Sequence, residues 1–453
     1  MSNQVVLDRF IEKNPLTVMT RAIMGAVLTD ELDEIFEQNR DLQYDDTIQF
    51  STLAISIAEI ALGTVKNRNQ AYRKYQQQLN VAKSAYYAKV NRSEPQIAEN
   101  VVSFSAQKCL GLIEELGVPK EQVLPGYRVM ALDGNHMQKT EKRLKETRGL
   151  CAAALPGTVV ARLDLQTRLF DRAYLLENAH AQESTVLDEV LEDLGRGDLV
   201  VADRHFCIQH FLVKLASQSG SFIIRQHGRL KGELLGERRY VGRTDSGEVY
   251  EQNLKIQDGN QTLTVRRVTV ILDSPTRDGD QEIHILSNVP SKDASACRIA
   301  EIYRQRWEIE NSFYYLTTTL TCEMKSNCYP RCALLLFCMA MVASNCRQVL
   351  FAALYAEHDE ESVDSMSQYQ MALDIVDPME GMLTAISSQE WSVLVSDSQK
   401  ELSFFLRRVS RHVNVKSYKK SQRGPKKPKP KRKRCKAGTH LSTAKLLAER
   451  NER

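Results

Sequence analysis

The sequence predicts an α/β fold: a mixed sheet interrupted by an all-β insertion, with helical N- and C-terminal regions and a basic tail. Three observations predict it. Apolar residues recur at helical spacing through residues 1–125. Short apolar runs ending in Asp or Gly then alternate with helical stretches over residues 126–220. From 221 to 292 the runs become strand-like and are separated by DSG, QDGN and RDGD, which read as turns.

In chain order, DTIQFSTLAISIAEIALG and VVSFSAQKCLGLIEELG read as helices, the second stopped by Gly117 and Pro119. YRVMALDG is a strand ending at Asp133 and Gly134. GTVVARLDLQTRLF and RAYLLENA read as two further strands turning near Gln166 and Thr167. ESTVLDEVLEDLGRG is a helix, DLVVAD a fourth strand, and RHFCIQHFLVKLASQSG a helix closing at Gly220. SFIIRQ opens the β-rich insertion. After it the core resumes over 293–352 with one long helix, ASACRIAEIYRQRWEIENSFYYLTTTL. A helical C-terminal region follows over 353–412, and the tail occupies 413–453.

Composition narrows the class. With 42% apolar and 26% charged residues the chain reads as a soluble globular protein. Its longest apolar stretch, around Cys332 to Ala343, reads as too short and interrupted to span a bilayer, and no signal-peptide pattern opens the sequence. A cytosolic protein without membrane association is expected. Cys322, Cys328, Cys332, Cys338 and Cys346 fall close together but form no CxxC pair, so they read as small buried hydrophobes rather than a zinc site.

The charge is unevenly spread. Lys416 to Lys436 holds twelve Lys or Arg and no acid, while the whole chain is only +4. A tract this rich in Pro and charge cannot bury a core and is expected to be disordered when free. Lys426, Lys427, Lys431, Arg432, Lys433 and Arg434 are the densest part. They suit a nucleic-acid arm that gains affinity by releasing counterions, although a plain solvated tail has the same composition.

Three carboxylates carry the chemistry: Asp133 in YRVMALDGNH, Asp203 in DLVVADRHF and Glu310 in YRQRWEIENSF. Two aspartates at strand ends and a glutamate on a helix are what a two-metal phosphoryl-transfer site needs. Their oxygens suit Mg²⁺ or Mn²⁺. Each has a plainer reading. Asp after a strand is common as a turn residue or N-cap, and Glu310 alone reads as a surface charge. Phase favours Glu310 over Glu308. At about 100° per residue from Tyr303, Arg306 falls near 300° and Glu310 near 340°. Ile302, Ile309, Phe313, Leu316 and Leu320 fall at roughly 220–280°. Tyr303, Arg306 and Glu310 therefore share a polar edge beside a buried stripe. Arg306 suits a phosphate; the alternative is an ion pair with Glu310. Trp307 lies beside that edge and reads as packed or as a stacking surface. His136 and His205, close behind the aspartates, read as local hydrogen-bonders or as groups near a metal. Lys139 and Arg143 lie in a basic stretch that reads as a DNA backbone contact or a solvated face.

These motifs, in this order, resemble the DDE transposases of the insertion-sequence-four family. The resemblance rests on ALDGNHMQKTEKRLKETRG, on VVADRHF, on the β-rich insertion before the glutamate, and on Tyr303, Arg306 and Glu310 at the family's spacing. It runs from the N-terminal helices to STAKLLAER. It implies an RNase H-like catalytic core and an N-terminal region that binds DNA and assembles. It implies Asp133, Asp203 and Glu310 as catalytic metal ligands, Mg²⁺ or Mn²⁺, and cut-and-paste cleavage and strand transfer. Tyr303 and Arg306 would contact DNA. The partners implied are double-stranded DNA with terminal inverted repeats, target DNA and a second copy of the chain, in a bacterial cytoplasm at the nucleoid. One position departs: the family's lysine seven residues after the glutamate is Thr317 here, and Lys325 is a candidate substitute. A stand-alone metal-dependent nuclease and a non-catalytic, transposase-derived DNA-binding protein are the alternatives.

Overall fold

The computed structural model describes residues 3–41, 48–119, 121–138, 145–147, 154–276, 279–324, 327, 329–396, 398–421, 424 and 442–452. The N-terminal region is helical: α1 (Asn3–Lys13), α2 (Pro15–Val27), α3 (Glu31–Asn39), α4 (Phe50–Leu62), α5 (Arg68–Leu79), α6 (Lys83–Arg92) and α7 (Pro95–Leu116). Gly63 and Gly117 end α4 and α7 with φ of +88° and +65°, a left-handed turn that glycine makes without strain.

The sheet strands are β1 (Arg128–His136), β2 (Thr158–Asp164), β3 (Phe170–Leu176), β4 (Asp198–Ala202), β5 (Ser221–Arg225), β6 (Glu233–Thr244), β7 (Gly247–Asp258), β8 (Gln261–Leu272) and β9 (Glu282–Ser287). Among the described residues they form one mixed sheet in the order β3-β2-β1-β4-β5-β9-β8-β7-β6. β1, β2 and β3 are antiparallel neighbours, and β4 and β5 run parallel to β1. That is the expected RNase H-like mixed sheet. β5 is hydrogen-bonded to both β4 and β9, so the sheet passes without a break from the core strands into the β-rich stretch. Period-2 patterning finds the strands but carries no record of which neighbours pair.

Helices cover both faces. Ala131 and Val201 face the core shared with α7 and with α12 (Pro330–Tyr355), whereas Met130, Leu132, Val200 and Ala202 face α8 (Leu187–Glu192) and α9 (Gln209–Ser217). Burial on both sides explains why β4 reads as a continuous apolar run. The remaining helices are α10 (Ala296–Gln305), α11 (Trp307–Thr318), α13 (Glu360–Asp364), α14 (Gln368–Ala385), α15 (Ser388–Leu394), α16 (Gln399–Ser410) and α17 (Thr443–Asn451).

The structure departs from the sequence reading in four places. The helix expected from Arg204 begins only at Gln209. Residues 204–206 form a single tight turn instead, capped by Asp203. The helix expected through Glu310 is jointed at Arg306, where Arg306 N–H bonds Tyr303 O and Ile309 N–H bonds Arg306 O, both with i,i+3 spacing. α12 spans 26 residues and is long and apolar enough by composition to cross a membrane, contrary to the shorter stretch read from sequence. Some 94% of its most apolar window is buried, against α7, α4 and α2 among others. The last described stretch is not a loose arm. Ser442 pairs with Leu155, and Thr443 N–H donates to Leu155 O at 2.8 Å.

Two side chains, the buried Asn345 and the half-buried Glu99, reach the backbone of the edge strand β3. The Asn345 amide oxygen accepts from Phe170 N–H at 2.8 Å while its nitrogen donates to Phe170 O at 2.9 Å. Glu99 on α7 accepts from Leu175 N–H at 2.7 Å. Burial pushes the Glu99 carboxyl from the usual 4.5 up to about 7, with Glu189 and Asp193 adding to the shift and the Leu175 bond opposing it. Between those two values the folded chain holds a proton that the unfolded chain releases, so stability falls as pH rises through that window and is level above it. Glu99→Gln keeps the acceptor and removes the titration. In thermal melts it is expected to match the parent near pH 5 and to exceed it near pH 8, by on the order of 2 kcal/mol.

Candidate active site

The last paired residues of the β1–β4 ladder are Leu132 and Ala202, so Asp133 and Asp203 follow at adjacent strand ends. Asp133 is still within β1, opposite Ala161 of β2, and its Oδ1 accepts from Gly134 N–H at 3.0 Å. Asp203 accepts from His205 N–H at 2.7 Å and so caps the turn that follows. The plain capping reading of Asp203 and the site reading therefore hold together.

α11 brings the third carboxylate. Ile309, Phe313 and Leu316 are buried, which anchors the helix, and Glu310 lies beside that stripe, partly exposed. Arg306 joins the two sides. Its Nη1 is 3.2 Å from Asp133 Oδ2 and its Nη2 is 2.7 Å from Glu310 Oε1. The ion-pair alternative for Arg306 is the arrangement present, and it includes Asp133 as well as Glu310. The guanidinium also lies 5.9 Å from the centre of the Tyr303 ring.

The electrostatics follow from burial and from an excess of negative charge. Burial pushes the Asp133 carboxyl up to about 7; Arg306 opposes the shift, and Asp203 and Glu310 add to it. The Tyr303 hydroxyl is also raised, first by burial, with Arg306 opposing. Among the described residues no three His, Cys, Asp or Glu side chains are gathered closely enough to hold a metal ion. Arg306 stands between two of the expected ligands. Beside this centre lies a cavity of about 730 Å³, lined by Tyr303, Arg304, Arg306 and Trp307 on the helices and by Arg243 and Ile285 among others on the sheet. Trp307 is exposed at its rim rather than packed.

Residues 124–346 match a family model described as the transposase DDE domain. That stretch, just under half of the chain, is similar to a transposase DDE domain. That segment includes Asp133, Asp203 and Glu310 and runs from the start of β1 well into α12. No curated protein matches the chain. A solved structure, the cryo-EM structure of a piggyBac transposase synaptic complex with hairpin DNA, is similar over 89% of this chain and 85% of that one. The identity is 10% and the TM-score 0.41.

Other residues singled out from sequence fall as follows. His136 bonds Thr158 Oγ1 at 2.8 Å across the β1–β2 pair. His205 is exposed, with Nδ1 at 3.6 Å from Asp203. The Thr317 hydroxyl donates to Phe313 O or Tyr314 O of its own helix, at 3.0 and 3.1 Å. Glu308, which helical phase set aside in favour of Glu310, lies 3.7 Å from Arg168. Lys139, Arg143, Lys325, Lys426, Lys427, Lys431, Arg432, Lys433 and Arg434 lie outside the described residues.

Glu183 is a further carboxylate beside Asp203 that sequence reasoning missed. It opens the tight turn Glu183–Val186 ahead of α8, and its side chain is largely buried. Its carboxylate fills the place where a side chain on Gly134 would begin. His205 Nδ1 is 3.9 Å away. Burial raises the Glu183 carboxyl, Asp203 adds to the shift and His205 opposes it. In the sequence it looks like an ordinary acidic residue in a first helical turn; the sole hint is the absent side chain at Gly134. Gly134→Ala is expected to cost about 1–3 kcal/mol in denaturant unfolding, because the new methyl overpacks the site. Adding Glu183→Ala should recover most of that loss, and an unrelieved double variant would disprove the contact.

Proposed function

We propose that this chain is a DNA transposase of the insertion-sequence-four type, cutting DNA at the ends of its element and joining those ends to target DNA by a cut-and-paste route. One observation carries the reading. Asp133 and Glu310, far apart in sequence, meet on a single guanidinium, with Asp203 at the adjoining strand end, inside a segment matched by the transposase DDE domain.

The donor set fits a hard divalent cation, being carboxylate oxygen throughout. Asp133, Asp203 and Glu310 would hold Mg²⁺ or Mn²⁺, which supplies charge stabilisation at the attacking and leaving oxygens of a phosphodiester. The protein's own contribution is positional. The β1–β4 ladder fixes the two aspartates at adjoining strand ends and the buried face of α11 fixes the glutamate. Arg306 and Tyr303 face the cavity from which DNA would approach, and Arg306 offers a planar fork suited to phosphate. Lys139, Arg143 and the cluster from Lys426 to Arg434 would bind DNA backbone. Double-stranded DNA is the partner, a homodimer on DNA the assembly that joining two ends requires, and a bacterial cytoplasm the setting.

Asp133→Ala, Asp203→Ala and Glu310→Ala are each expected to lower Mg²⁺-dependent nicking of DNA carrying the element's ends by about 10²-fold or more, with DNA affinity retained. Cleavage that survives any one substitution removes that residue from the site. Cleavage without strand transfer would instead assign a stand-alone nuclease. Neutralising Lys426, Lys427, Lys431, Arg432, Lys433 and Arg434 together is expected to flatten the dependence of log affinity on log salt by up to about five units. An unchanged slope rules out the arm.

A further inference from the structure

We propose that Arg306 is an internal counterion that keeps the Asp133–Glu310 half of the site closed to a divalent cation until a DNA phosphate draws the guanidinium away. The inference rests on the transposase reading and adds an order to it: one ion enters the free protein, and the second enters only with DNA.

One guanidinium nitrogen lies 3.2 Å from Asp133 and another 2.7 Å from Glu310, so the fork spans the space between the two carboxylates. A cation bridging those carboxylates would need that same space. The positive charge of Arg306 would also repel it.

The two halves of the site differ in their counterions. Among the described residues, Asp203 and Glu183 have no Arg or Lys within ion-pair distance; their ion-pair partner is His205, at 3.6 and 3.9 Å. A cation can approach the Asp203 side without displacing a fixed positive charge. On the Glu310 side it must compete with one that is held by two oxygens.

Arg306 is also within reach of an entering phosphate. Its Nε is buried and bonds neither carboxylate, and the Tyr303 hydroxyl on the cavity side is a further partner of the guanidinium. Its side chain also lines the cavity beside the site, together with Tyr303, Arg304 and Trp307. A phosphate entering there offers oxygens to a fork otherwise held by two separate carboxylates, and guanidinium binds phosphate through paired, charge-assisted bonds. Magnesium, for its part, is commonly held by one or two carboxylates together with substrate phosphate. The same DNA group would therefore remove the arginine and help to seat the ion that replaces it.

The test is Mn²⁺ binding to the full-length chain, followed by electron paramagnetic resonance and calorimetry, with and without a short duplex ending in the element's terminal repeat. The parent protein is expected to bind one Mn²⁺ alone and a second only with the duplex. Arg306→Gln removes the charge and is expected to bind two without DNA, the weaker site gaining about tenfold or more in affinity. Arg306→Lys keeps a charge without the fork and should fall between them. Should Arg306→Gln fold poorly, Arg306→Lys and the parent's response to the duplex decide the matter. Equal Mn²⁺ stoichiometry and affinity in the parent and the Arg306 variants, or two ions bound by the parent without DNA, overturns the proposal. Asp133→Ala separates this from the underlying reading. If that substitution leaves all Mn²⁺ binding unchanged, it is the metal-dependent transposase site that fails.

Discussion

Parallel hydrogen bonding between β1 and β4 is the constraint on which the site depends. It runs to Leu132 and Ala202, the last buried pair of the ladder, and leaves Asp133 and Asp203 at adjoining strand ends just past them. A one-residue slip in that register would bury one aspartate and turn the other away, because side chains alternate faces along a strand. The apolar cores on the two faces oppose such a slip. Ala131 and Val201 commit to the side of α12, and Leu132 and Ala202 to the side of α8 and α9.

The third carboxylate depends on a different kind of restraint. α11 is held through Ile309, Phe313 and Leu316, and its first turn follows the joint at Arg306. That joint gives Arg306 a direction from which it reaches both Glu310, one helical turn on, and Asp133 across the gap to the sheet. One arginine thus faces a centre of several carboxylates. Burial first, and then the negative charge of Asp203 and Glu310, raise the Asp133 carboxyl despite the ion pair.

Most of the elements were legible in the sequence. The strands at 128–136, 158–164 and 198–202 and the turn near Gln166 follow from short apolar runs and turn chemistry; Asp164 Oδ1 accepts from the backbone of Gln166 and Thr167. Helical phase placed Glu310 and Arg306 on one edge even though the helix is jointed, because the joint's i,i+3 bonds shift the phase little over four residues. Less legible was whatever depends on a partner. Arg204 to Phe206 has helical composition, but the side chain of Asp203 holds it in a tight turn. Glu183 is an unremarkable acid in sequence and acquires its place only from the missing side chain at Gly134.

The sequence by itself determined the alternation of apolar and polar positions, the order of strands and helices, and the chemical types available at the three acidic positions. These are local properties, set by side-chain period and turn preference, and they can be read one segment at a time. The tertiary structure decided which strands pair, that β5 and β9 weld the β-rich stretch onto the core sheet, and that Arg306 bridges Asp133 and Glu310. Those outcomes are set by distances between segments up to some two hundred residues apart. A local pattern carries no such distances, since each depends on how all the apolar faces are buried together.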